Sequence, residues 1–128
     1  MNIATYSPEK SEAEIKSLLS DAEEIDPNTD YQNGKAYKIS KGNTYQNNIY
    51  KGGLTSTNPV IIIIEGRWES DNMSVERGFE FYVLNGGKIK TPQTFNLVET
   101  SRFIVYAGGA IEGNNIRLTN ASGGNYNY

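Results

Sequence analysis

The chain has 128 residues, 37% hydrophobic and 21% charged, with a formal net charge of −3 and neither Cys nor His. That length suits one domain with its own core. The missing residue types exclude disulfides, zinc sites built on Cys or His, a Ser-His-Asp triad and a Cys nucleophile. No run approaches the roughly 18–20 apolar residues of a membrane span, so none is expected in this chain. Residues 1–6 lack the basic stretch and apolar core of a signal peptide, so a leader or anchor is expected elsewhere.

Residues 1–34, taken as an N-terminal unit, hold eight acidic side chains against Lys10 and Lys16; residues 35–128 hold seven acids and ten bases. An acidic head thus precedes a mildly basic body. The bases are scattered and form no stripe with interleaved aromatics, which argues against a nucleic-acid partner. The head predicts one amphipathic helix. Ser7-Pro8 and Ser11-Glu12-Ala13-Glu14 are competing starts, the second a capping box. Ile15, Leu18, Leu19, Ala22 and Ile25 then form one apolar stripe, and Pro27 ends the helix. A lone helix of this length is marginal in water, so the stripe is expected to cover another surface.

From Lys35 the pattern changes to short apolar runs bounded by Gly, Asn and Pro: 36–39, 60–64, 79–84, 103–106 and 116–118. Val60-Ile61-Ile62-Ile63-Ile64 is apolar at every position, so a strand there presents apolar side chains on both faces. The sequence also repeats itself. Residues 81–89 (FYVLNGGKI) match 103–111 (FIVYAGGAI) at an offset of 22, and Phe95 and Leu97 extend the match to Arg117 and Thr119. Residues 61–68 are an earlier copy, one residue shorter at the turn; a weaker later copy ends at Ala121-Ser122-Gly123-Gly124. The module reads as strand, Gly-Gly corner, short strand, turn, short strand.

Such a period predicts a mainly β fold, a short parallel β-solenoid (β-helix). Its interior rows would align Ile63 with Val83 and Val105, and Trp68 with Ile89 and Ile111. In this reading residues 1–34 form a capping α-helix and turn over the N-terminal end, and 35–128 form the body, a fragment of a longer chain. The alternative is an antiparallel β-sandwich or jelly roll with two similar hairpins.

Three sets of residues are candidate sites. Trp68, Tyr45, Tyr50, Tyr126 and Tyr128 could stack on sugar rings, in a chain with nine Tyr and many Asn; β-rich proteins also use these residues for packing and corners. Asp26, Asn28 and Asp30 have calcium-loop spacing, but Tyr31 and Tyr37 stand where an EF-hand requires Gly and Glu, and the segment equally suits a turn. No other cofactor is indicated. Glu65 and Glu69, with Arg67 between them, and Glu112 could do acid-base work on a glycosidic bond, although exposed Glu on a β-surface ordinarily serves solubility.

Residues 24–31, Glu-Ile-Asp-Pro-Asn-Thr-Asp-Tyr, together with the preceding helix, resemble the Ile-Asp-Pro-Asn-x-Asp-Trp segment near the start of large Bacteroidetes cell-surface proteins. Tyr31 replaces the Trp. Ile64-Glu65-Gly66-Arg67-Trp68 and Leu84-Asn85-Gly86-Gly87-Lys88-Ile89 look like the phrasing of the β-repeats that follow in those proteins. The resemblance implies an extracellular or cell-surface location, further domains in a longer parent, and no catalytic residues to carry over. The resulting expectation is a non-catalytic spacer or adhesin-like module, with another surface protein or a glycan as partner. A carbohydrate-binding module is the alternative, and a fragment of a polysaccharide lyase or hydrolase comes third.

Overall fold

The structure is a computed structural model. It describes residues 10–55, 57–70, 73–75, 78–90, 95–97, 102–112, 119–120 and 125–127; for 73–75, 95–97, 119–120 and 125–127 only the backbone is considered. The chain is mainly β with one short helix, α1 (Glu12–Lys16). Thirteen strands follow among the described residues: β1 (Glu23–Glu24), β2 (Ala36–Ile39), β3 (Thr44–Tyr45), β4 (Val60–Ile64), β5 (Arg67–Glu69), β6 (Met73–Val75), β7 (Phe79–Val83), β8 (Lys88–Lys90), β9 (Phe95–Leu97), β10 (Arg102–Val105), β11 (Ala110–Glu112), β12 (Thr119–Asn120) and β13 (Asn125–Asn127).

They form three sheets, ordered β1-β2-β4-β7-β10-β13, β11-β8-β5-β3 and β12-β9-β6. Every pairing between described strands is parallel. A sandwich of hairpins would need antiparallel neighbours, so that alternative fails. Along the chain, β7, β8 and β9 enter the first, second and third sheets in turn, and β10, β11 and β12 repeat the order.

The 22-residue echo is a physical register. Phe81 pairs with Phe103, Val83 with Val105 and Ile89 with Ile111. Trp68 pairs with Ile89, as the row of large apolar residues predicted. Two registers differ from expectation. Ile64, not Ile63, pairs with Val83, because the corner from Ile64 to Trp68 is two residues shorter than that from Val83 to Ile89. A period-2 strand cannot absorb that slip without changing face, so Ile63 lies opposite Tyr82 on the other side. In the third sheet Leu97 meets Asn120 and Asn96 meets Thr119, an offset of 23 in place of 22. The proposed copy at 121–124 lies outside the described residues.

A further copy of the corner escaped the sequence reading. Residues 39–45 turn as 83–89 and 105–111 do, with Gly42, Gly86 and Gly108 all at φ near +87 to +88. The glycine after Gly86 answers a different need. A Cβ on Gly87 would press into the carbonyl oxygen of Ile64, whereas one on Gly86 would meet nothing. Gly86 therefore serves backbone conformation and Gly87 serves close approach.

The central strands β4, β7 and β10 of the first sheet bury side chains on both faces. One face supplies Tyr37, Ile39, Ile62, Ile64, Phe81, Val83 and Phe103 to the larger core, which Trp68, Ile89 and Ile111 of the second sheet complete. The opposite face supplies Ile63, Tyr82 and Ile104, with Leu84 beside them, to a second cluster. The all-apolar 60–64 run has this cause.

Ile15 is fully buried in that second cluster, with Leu18 and Leu19 packed against it. Here the expected end cap is corrected. The Ser11–Glu14 capping box starts the helix, but it lasts five residues; a 3-10 turn covers Leu19–Asp21, and Glu23–Glu24 is already strand. Residues 10–22 cross the outer face of the first sheet as a strap. The Tyr106 hydroxyl donates to the Lys10 carbonyl (2.6 Å), the Asn85 N–H to Glu12 (2.9 Å) and the Lys38 ammonium to the Leu19 carbonyl (3.0 Å). The predicted stripe is split, since Ile25 joins the larger core instead. A single straight helix cannot reach both clusters; breaking it after one turn lets each end follow its own surface.

Candidate functional site

The aromatic candidates part company in the structure. Trp68 is fully enclosed; its ring stacks on Phe81 (centroids 5.1 Å, interplanar angle 17°) and its indole N–H donates to the Asn47 carbonyl (2.8 Å). It offers no face to a sugar and is a core residue, not the stacking platform expected of it. The cause is strand alternation: Arg67 and Glu69 point outward, so Trp68 points in. Tyr45 is buried in the same core. The side chain of Tyr126, in β13, and all of Tyr128 lie outside the described residues. Tyr50 is 57% exposed, the large hydrophobic side chain that stands out from the surface among the described residues.

Asp26, Asn28 and Asp30 are drawn into local structure. The Asp26 carboxylate accepts from the Asn28 N–H (2.7 Å), while the Asp26 N–H donates to the Thr29 hydroxyl (2.8 Å). This is the hydrogen-bonded turn that Asx residues favour. Asp30 instead pairs with Lys51 (2.8 Å), and Gln32 donates to its other oxygen. The Lys51 hydrogen bond and charge, helped by Gln32, hold the Asp30 carboxyl below its ordinary range. Asp30 and Asp26 therefore serve different partners.

Of the carboxylates considered for catalysis, Glu69 and Glu112 lie on the outward face of the second sheet. Glu65 is in the corner before β5, so it does not share a strand face with Glu69. Arg67 donates to Glu69, and Lys88 pairs with Glu112 (3.0 Å). The Arg67 and Gln46 hydrogen bonds lower the Glu69 carboxyl, and Lys88 lowers that of Glu112. Both are thereby held as carboxylates, and neither is poised as a proton donor near neutral pH.

One cleft brings polar groups together. Its volume is about 390 Å³, and it is lined by Gln32, Asn33, Lys51, Gly52, Gly53 and Leu54. The Lys51 ammonium donates to Asp30 and to the Tyr31 carbonyl (2.7 Å), which ties the 50–54 loop to the 30–33 loop. The Asn33 side-chain oxygen Oδ1 accepts from the Thr55 N–H (3.2 Å). The Tyr37 hydroxyl accepts from the Gln32 N–H (2.8 Å) and donates to the Asp30 carbonyl (3.0 Å), so a core residue fixes the outer loop. Tyr50 does not line the cleft but lies next to it: a Cβ on Gly52 would come within 3.2 Å of its hydroxyl. Leu54 is buried and anchors the floor to the larger core. Sequence reading named only Tyr50 here. The available signal was two turn dipeptides, Asn33-Gly34 and Gly52-Gly53, but nothing in their spacing showed that the loops meet.

No helix among the described residues is long and apolar enough to cross a membrane. No protein-family model, curated protein or solved structure matches the chain.

Proposed function

We propose that this chain is a short β-solenoid, each winding visiting the three sheets in turn, and that it serves as a rigid, non-catalytic module at a cell surface. The observation that carries the reading is the parallel register of Phe81 on Phe103 and Ile89 on Ile111, one module apart. Such stacking makes every module depend on its neighbours and yields a stiff body. The acids on the second sheet are engaged in ion pairs, which suits a soluble outer face. The extracellular assignment rests on the resemblance of residues 24–31 to the start of large Bacteroidetes surface proteins.

The winding is tested with paired cysteines, for which the Cys-free chain is a clean background. Lys88 and Ala110 are register partners on the partly exposed second sheet. Lys88→Cys with Ala110→Cys should close a disulfide under mild oxidation, and Lys90→Cys with Ala110→Cys should not. Equal reactivity of both pairs overturns the winding. The location is tested by protease shaving of intact cells that make the natural protein; resistance until lysis overturns the surface assignment.

A further inference from the structure

We propose that the cleft between residues 30–33 and 50–54 is a binding site for a neutral saccharide, with Tyr50 as its stacking platform. This goes beyond the spacer role and stands on its own geometry. A sugar site needs an exposed aromatic face, several fixed hydrogen-bonding groups and a pocket of the right size. Tyr50, adjacent in sequence to the lining residue Lys51 and with its hydroxyl close to Gly52, supplies an exposed ring beside the cleft. Beside it is a surface cleft, open to solvent, of about 390 Å³. Gln32 and Asn33 line it, the Gln32 amide donating to Asp30 and the Asn33 side-chain oxygen accepting from Thr55. Lys51 uses two of its three donors, on Asp30 and the Tyr31 carbonyl, leaving one for a ligand oxygen.

The class of sugar follows from charge. Lys51, the charged residue of the lining, is paired with Asp30 beside the cleft at 2.8 Å, so its charge is already balanced. A carboxylated or sulfated sugar would have to compete with Asp30 for Lys51, whereas neutral hydroxyls can donate to the one and accept from the other. Gly52 and Gly53 line the cleft without side chains; a Cβ at Gly52 would come within 3.2 Å of the Tyr50 hydroxyl. The site is also held in shape before any ligand arrives, because Tyr37, Lys51 and Leu54 tie both loops to the body.

The test is saturation-transfer NMR followed by calorimetric titration of the whole chain. The probes are cello-, malto-, manno- and xylo-oligosaccharides of four units, with tetragalacturonate as the anionic comparison. At least one neutral probe should bind, and Tyr50→Ala should weaken it tenfold or more. Tyr50 is exposed, so that variant should keep the wild-type circular dichroism and melting temperature. Gly52→Ala should weaken the same probe at least fivefold, and Tyr50→Trp should retain it. Absence of binding by all neutral probes, binding indifferent to Tyr50→Ala, or preference for tetragalacturonate would each overturn the proposal. The cysteine pairing above reads the winding separately, so failure of one leaves the other standing.

Discussion

Glu24 occupies the place of a missing strand beside Ser40. Its carboxylate accepts from the Ser40 N–H (3.0 Å), the Ser40 hydroxyl and the Asn43 amide (3.2 Å). At the equivalent corners the N–H of Leu84 donates to the Ile64 carbonyl and that of Tyr106 to the Val83 carbonyl. Ser40 has no complete strand before it, only the two residues of β1. The Glu24 side chain supplies the acceptor that the previous strand supplies elsewhere, so this side chain, with Ile25 and Tyr31 behind it, finishes the N-terminal end. Removing it leaves a partly buried N–H and hydroxyl unpaired. Glu24→Ala should cost about 1–3 kcal/mol in urea unfolding. A cost indistinguishable from that of the exposed Glu23→Ala would refute the capping role.

The same contact sets a pH dependence. Burial would raise the Glu24 carboxyl, but the hydrogen bonds from Ser40 and Asn43 outweigh it and hold the value below the ordinary 4.5. A depressed folded-state value means the contribution is complete above the unfolded value and is lost as the pH falls through the lower, folded one. Wild type should therefore exceed Glu24→Gln in melting temperature at pH 7, and the gap should narrow steadily below about pH 4.5. A gap that stays constant down to pH 2 would count against this account.

Trp68 is predicted to matter for stability and not for ligand contact. Trp68→Ala removes a fully buried ring stacked on Phe81 and should cost about 3–5 kcal/mol. Trp68→Phe should recover much of that, losing the bond to Asn47. Chemical denaturation of the two variants checks the order.

The strap should be separable from the parallel strand register. Ile15→Ala should cost about 2–4 kcal/mol, since Ile15 is buried against Ile63, Tyr82 and Ile104. A chain lacking residues 1–21 should bind a hydrophobic dye and aggregate, because the outer face of the first sheet becomes exposed. If that shortened chain stays monomeric and dye-free, the strap does not serve as a cover.

The two corner glycines should respond differently to alanine. Gly86→Ala suffers only the left-handed backbone, about 1–2 kcal/mol. Gly87→Ala collides with the Ile64 carbonyl and should cost more, with slower refolding or loss of the folded state. Thermal melts of both variants decide it; a larger loss at Gly86 would contradict the close-approach argument.

Local pattern determined a good part of this protein. Period and Gly placement carried the three-strand module, the 22-residue pairing of 81–89 with 103–111, and the Trp68-Ile89-Ile111 row, because strand alternation and left-handed corners are short-range properties. The all-apolar 60–64 run likewise announced a strand covered on both sides. Tertiary structure decided the remainder. The slip from Ile63 to Ile64 depended on how tightly one corner could turn against its neighbour. The helix stripe was visible, but its division between two clusters was not, since a stripe says that a face is buried and not against what. The cleft beside Tyr50 exists because residues 30–33 and 50–54, some twenty positions apart, are brought together by Lys51. Contacts of that kind leave no periodic trace, because they depend on where loops end and not on how strands repeat.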